Sequence, residues 1–318
     1  MVNAASVNRR GSHGEPTHHP HQMPDRHFVL IVNDKAGTAT TRSKLEALRT
    51  ANPRFGNAST VAPFAGIQDV TKALADHPNH VPVAVGGDGT VSLVARVNRE
   101  RDAPHPLMGV IPMGTGNLLA HELGIPSPEA AIPALLDGAT RSLDLMTTTR
   151  DDFPVALMSI SCGFEADFIR SYDKWRGSFG RPVGAAAGAL RLLGLPARRA
   201  LVEVDGTPIV TPTKRYWNAG LYLMSAFAFG VKTFPDAISD DGLFEAVFHA
   251  GRLRYLAGLK GRRYPEGPPD PRYRRGRKAH FEVPGAVQID GETVPGGTFD
   301  VEVEQRGLTM LIPPGSAR

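Results

Sequence analysis

Four aspartates and one glutamate in this chain sit where glycine or a tight turn leaves a carboxylate accessible. Asp88 lies within Gly86-Gly87-Asp88-Gly89-Thr90, Asp290 and Glu292 flank Gly291, and Asp236 and Asp241 bracket the turn from Pro235 to Gly242. Carboxylates so placed can accept the proton of an attacking hydroxyl, or join backbone carbonyls around a hard cation such as Mg²⁺. Glycines 86, 87 and 89 carry no Cβ, so an anion can approach their N–H groups, and a following helix adds its positive end. A phosphate cradle plus carboxylates is the equipment of phosphoryl transfer. The loop lacks both the lysine and hydroxyl of a Walker A motif and the spacing of a dinucleotide turn. Asp236 and Asp241, with turn carbonyls close by, suit a metal; Asp290, alone before a glycine that leaves room for substrate, suits a proton. Taken singly, each of the two downstream acidic clusters is more often a hairpin turn than a site.

The elements that place these residues alternate. A buried strand, FVLIVN, ends in Asn33-Asp34-Lys35-Ala36-Gly37; helix 44–50, strand 59–62 and helix 67–76 lead to strand 81–85 and the GGDGT loop. After helix 91–97 comes strand 107–111, which ends in Pro112-Met113-Gly114-Thr115-Gly116-Asn117, with helices from Leu118 and over 129–137. This pattern predicts a doubly wound parallel α/β domain over 25–141, with three glycine-bearing loops at the carboxyl ends of its strands, where such sheets bind ligands. Thr115 and Asn117 offer a hydroxyl and an amide to a phosphate or sugar, and Asn117 could equally cap the next helix. From 142 to 307 short alternating strands, including KAHFEVPG, AVQIDGE and TFDVEVEQ, predict an all-β domain, read as a sandwich. A last strand, 308–313, is expected to return to the first domain. Pro182–Leu195, mostly Ala, Gly and Leu, reads as a packing helix or an apolar lip, and residues 1–24, with four histidines, as a disordered tail.

Composition narrows the setting. The chain has 318 residues, a formal charge of +4 and one cysteine, Cys162, which excludes an internal disulfide framework and a cysteine-based zinc cluster. Cys162 is expected half-buried and inert. No apolar run is long enough for a membrane span or an export signal, so a cytoplasmic protein is expected. Between Arg252 and Lys278 ten Lys and Arg residues face only Glu266 and Asp270. The excess predicts peripheral contact with an anionic membrane, against a merely solvated basic face, while Tyr255, Tyr264 and Tyr273 are too sparse for a nucleic-acid stacking platform. The oligomeric state is left open, with a homodimer among the options.

In their order and separations GGDGT (86–90), GTGNLLAHELGIP (from 114), PDAISDDGLFE (from 235) and DGE (290–292) resemble the diacylglycerol kinase catalytic family, over about residues 26–313. The resemblance implies a nucleotide-binding α/β domain, a β-sandwich domain and an ATP site in the cleft between them. It places ATP on Asn33, Asp34, Lys35, Ala36, Gly37, Gly86, Gly87, Asp88, Gly89, Thr90, Gly114, Thr115, Gly116, Asn117 and Glu292. Mg²⁺ would lie on Asp236, the Ser239 carbonyl and Asp241, with Asp290 as proton acceptor, Asp88 close to the chemistry and a lipid as substrate. The chain departs from the family pattern in three places: NDKAG replaces the usual N-P-x-S-G loop, Ser92-Leu93 replaces an Asn-Glu pair, and MSAFAFG replaces Asn-Gly and Gly-Gly pairs. An NAD kinase, whose related fold also carries GGDGT, and a non-catalytic nucleotide or lipid sensor are the competing readings.

Overall fold

The computed structural model describes residues 26–33, 38–101, 106–179, 181–194, 198–226, 234, 237–258 and 273–316. The histidine-bearing tail, most of the NDKAG loop, Asp236 and most of the basic run lie outside them. The first part of the chain comprises β1 (Phe28–Asn33), α1 (Thr38–Ala51), α2 (Pro53–Asn57), β2 (Ser59–Phe64), α3 (Ile67–Asp76), β3 (Val81–Gly86), α4 (Asp88–Arg99), β4 (Leu107–Pro112), α5 (Leu118–Glu122) and α6 (Pro128–Asp137). Its strands pair in parallel in the order β2-β1-β3-β4. Phe28 to Val32 are all fully buried, as a central parallel strand covered on both faces requires.

The second part comprises β5 (Ala139–Thr148), β6 (Val155–Ala156), β7 (Ser159–Gly163), α7 (Phe164–Phe179), α8 (Arg181–Gly194), β8 (Leu201–Val204), β9 (Thr207–Val210), β10 (Asn218–Tyr222), β11 (Phe244–His249), α9 (Arg252–Gly258), β12 (Tyr273–Gly276), β13 (Lys278–Ile289) and β14 (Glu292–Ile312). One antiparallel branch runs β12-β11-β10-β7-β13; another runs β9-β8-β13-β14-β5. Both share β13, whose pairing shifts between Val283 and Ala286. Side chains from both branches, among them Ile160, Leu221, Phe244, Val202, Phe281 and Phe299, close on one core. This is sandwich packing with a strand that passes from one layer to the other.

Three features depart from the sequence reading. KAHFEVPG and AVQIDGE form one strand, and so do TFDVEVEQ and the terminal 308–313 segment; the 21 residues of β14 run antiparallel to β13 at one end and lie between β5 and β4 at the other. That single strand ties the antiparallel half to the parallel sheet. Helix α7 falls where no helix is expected. Cys162 is fully buried rather than half-buried, and burial pushes its thiol up to about 12. A maleimide should therefore leave Cys162 untouched in the native protein and label it at the rate of global unfolding; fast labelling under native conditions would show that this core opens locally.

Candidate active site

The carboxyl ends of the parallel strands form a row. Val32 is level with Val85 and Val85 with Ile111, so Asn33, Gly86 and Pro112 follow at one edge. The ladder continues as Met113 N–H donates to Gly86 O at 2.9 Å. Asp34, Lys35, Ala36 and Gly37 lie outside the described residues. The other two loops meet backbone to backbone: a Cβ on Gly87 would stand 3.1 Å from Gly114 Cα, and one on Gly114 would overlap Gly87. Glycine is needed at Gly114 for that approach, and Gly87 tolerates little more. Gly89, in the first turn of α4, has nothing within 4 Å of a Cβ position and opens into space. Thr115 is exposed at its loop tip.

Two polar residues of the row are spent internally. The Thr90 side chain is buried and folds back over Gly86. Asn117, left-handed at φ 50°, makes no side-chain cap to α5; its Oδ1 accepts from Gly114 N–H at 2.9 Å and its Nδ2 donates to Gly114 O at 3.0 Å. Its amide closes the GTGN loop rather than capping α5.

Helix α4 carries the row to the second half of the chain. Asp88, Ser92 and Arg96 recur every four residues and so share one face. Opposite them is the β13–β14 hairpin, whose two-residue turn is Asp290-Gly291 with φ of 49° and 87°, a left-handed pair for which Asp-Gly is suited. The Asp290 carboxylate is 5% exposed. Its Oδ2 accepts from Ser92 Oγ at 2.8 Å and Leu157 N–H at 2.7 Å, and its Oδ1 from Met158 N–H at 2.8 Å and Ser159 N–H at 3.1 Å. A carboxylate has about four acceptor positions, and here they are filled. Burial still raises the Asp290 carboxyl above its ordinary value, against the pull of the three backbone bonds and Ser92. Glu292, exposed at the hairpin end, lies in the field of Arg96.

Asp88 is held more lightly. Its Oδ1 accepts from Leu119 N–H at 3.3 Å and its Oδ2 faces Gly116. Burial raises its carboxyl, bonds from Leu119 and Leu118 N–H oppose that, and the Asp290 charge raises it further. The two carboxylates therefore differ in how fully their acceptor positions are used. A proton arriving on Asp290 would have to be accommodated among four donors already in place, three of them backbone N–H groups; Asp88 keeps acceptor capacity beside the glycine loops.

Of the three expected Mg²⁺ ligands, the two among the described residues are already engaged. Asp236 lies outside the described residues, the Ser239 carbonyl accepts Asp144 N–H at 2.7 Å, and the Asp241 carboxylate is paired with the Arg275 guanidinium. A cation already stands where the metal was expected, so the described donors do not fit one. Asp144 sits in a strand with nothing in the sequence to mark it, Arg275 reads in the sequence only as part of the basic run expected to meet a membrane, and Ser92 only as a departure from the family pattern. The signal for Ser92 was its spacing of four from Asp88.

Comparison with known proteins follows the same geometry. Residues 27–148, from β1 through β5, match the diacylglycerol kinase catalytic domain. That segment belongs to the diacylglycerol kinase catalytic domain family. The chain is 26% identical over 308 residues to a "probable lipid kinase YegS-like" protein of Pseudomonas fluorescens, covering 92% of this chain and 98% of the relative. It is 30% identical over 170 residues to a diacylglycerol kinase of Mycobacterium tuberculosis, about half of either chain (51% and 52%). Among solved structures, a diacylglycerol kinase from Bacillus anthracis shares the fold at TM-score 0.64 and 17% identity over 92% of this chain and 98% of that one. An NAD kinase from Archaeoglobus fulgidus in complex with ATP shares it at TM-score 0.51 and 14% identity, over 91% and 95%.

Gly89 offers the cleanest probe of the cradle. Gly89→Ala adds one methyl into the open space and a better helix former to α4, so the melting temperature should hold or rise while ATP affinity falls roughly tenfold or more. Unchanged affinity by calorimetry would remove Gly89 from the phosphate site.

Proposed function

We propose that this protein is an ATP-dependent lipid kinase that transfers the γ-phosphate to the hydroxyl of a diacylglycerol or related lipid, with Asp88 as proton acceptor. One observation carries the assignment of roles: of the two neighbouring buried carboxylates, Asp290 is saturated by four donors and Asp88 is not. The family of the first part of the chain, the lipid kinase names of its relatives and a shared fold with an ATP-bound NAD kinase support the reaction class.

ATP would lie across the three strand ends, its phosphates at Gly86, Gly87, Gly89 and the N-terminal turn of α4, beside Gly114 to Gly116. As the lipid oxygen attacks, its proton passes to Asp88; the new bond forms to the γ-phosphorus while the bond to the bridging oxygen of ADP breaks. The raised carboxyl of Asp88 makes it a stronger base than an ordinary aspartate. Asp290, fixed by Ser92 and the β6–β7 backbone, holds the hairpin against α4 and keeps a negative charge beside Asp88. Mg²⁺ would arrive on the ATP phosphates, where it offsets charge on the transferring group.

Among the described residues no helix is long and apolar enough to cross a membrane. We propose that the protein meets its lipid at an anionic surface, through exposed Arg277 and Lys278 and the basic residues before them. Arg275, engaged with Asp241 and Glu245, is withdrawn from that surface.

Labelled phosphate should pass from γ-labelled ATP to a diacylglycerol-class lipid in a screen that also offers sphingoid bases, polyprenols and NAD. Asp88→Asn should lower kcat by about 10² to 10⁴ with ATP affinity retained. Transfer to NAD alone would identify an NAD kinase, ATP binding without transfer a sensor, and normal turnover by Asp88→Asn would place the base elsewhere.

A further inference from the structure

We infer that Arg275 is a built-in counter-cation for the acidic turn, so that this chain holds Ser239–Gly242 in shape with no metal ion. Arg275 lies on β12 directly across from Glu245 on β11. Its Nε donates to Glu245 Oε1 at 3.1 Å and its Nη2 pairs with Asp241. Glu245 is 1% exposed, and an ionised carboxylate so buried needs a partner. A single planar guanidinium bridges both carboxylates, which a lysine could not do with the same geometry.

The rest of the turn is closed in the same way. Asp144, buried on β5, donates its N–H to Ser239 O at 2.7 Å, accepts Gly242 N–H on Oδ2 at 2.6 Å and accepts Arg306 N–H on Oδ1 at 2.8 Å. Burial raises the Asp144 carboxyl, with Asp241 and Asp240 adding to the rise. The Asp240 carbonyl accepts Gln305 Nε2 at 3.0 Å, and Arg141 donates to Ser239 Oγ at 2.8 Å. The Ser239 and Asp240 carbonyls thus each already accept an N–H group. Among the described residues Asp241 and Glu245 share the guanidinium of Arg275, Asp240 faces that of Arg306, and Arg141 reaches the Ser239 hydroxyl. A divalent ion entering this cluster would have to displace Arg275 and would meet the repulsion of its neighbours.

The test is thermal melting of the nucleotide-free full-length protein, so it depends neither on turnover nor on the kinase reading. The melting temperature should agree within about 1 °C between excess chelator and millimolar Mg²⁺, since a ligand that does not bind the native state cannot stabilise it. Arg275→Gln should melt roughly 2–4 °C or more lower in both buffers, because it removes the guanidinium that buried Glu245 shares with Asp241. A fall of several degrees in chelator for the unmodified protein would overturn the inference. So would an Arg275→Gln variant as stable as the parent.

Discussion

The buried carboxylate of Asp290 is the constraint on which the rest of the site depends. Removed from water, it needs every one of its acceptor positions filled, and the four donors come from helix α4 and the backbone at the start of β7. Satisfying it fixes the hairpin turn, the helix and the strand relative to one another. Because Ser92 is one turn beyond Asp88, the same bond sets Asp88 beside Asp290. Burial alone raises both groups, and their proximity raises Asp88 further. In the proposed reaction this is what would suit Asp88 to accept a proton.

Two other constraints keep this arrangement in register. β14 extends from the DGE turn to the parallel sheet, so the turn bearing Asp290 and the strand ends bearing the glycines belong to one hydrogen-bonded network. At the far edge, the contact between Gly87 and Gly114 locks the two phosphate loops together, and the Asn117 amide closes the second of them. Arg99 of α4 also pairs with Glu304 on β14, so the helix is tied to the long strand and, through Ser92, to the turn that leads into it. The hydroxyl of Ser92, a departure from the family pattern expected from sequence, supplies a donor to the Asp290 carboxylate.

Much of the parallel half was legible in the sequence because its signals are local. Apolar β-branched runs, glycines at strand ends and a helix over Ile67–Asp76 can each be read from adjacent residues. The unreadable parts depend on distant partners. β14 looks broken at Arg306-Gly307, because a left-handed arginine and a glycine mimic a turn; only pairing with β5 on either side shows the strand continuing. Helix α7 follows β7 without a capping loop, as Gly163 at φ 94° redirects the chain, although Phe164, Phe168 and Tyr172 do recur at helical spacing and pack on one another. The split of roles between Asp88 and Asp290 was hidden for the same reason. Both look like exposed turn aspartates, and only the three-dimensional count of donors separates them.

The pH dependence of the phosphoryl-transfer step tests that separation most directly. If Asp88 is the base, it must be ionised, so the rate of the folded enzyme falls on the acid side through a pKa above the ordinary aspartate value of 3.8. Since the Asp290 charge raises Asp88, Asp290→Asn should shift this acid limb to lower pH while transfer persists, with some loss of stability because an amide presents one oxygen fewer to the buried donors. An Asp290→Asn enzyme that is folded and binds ATP yet has lost transfer at every pH would contradict the account and return the proton to Asp290.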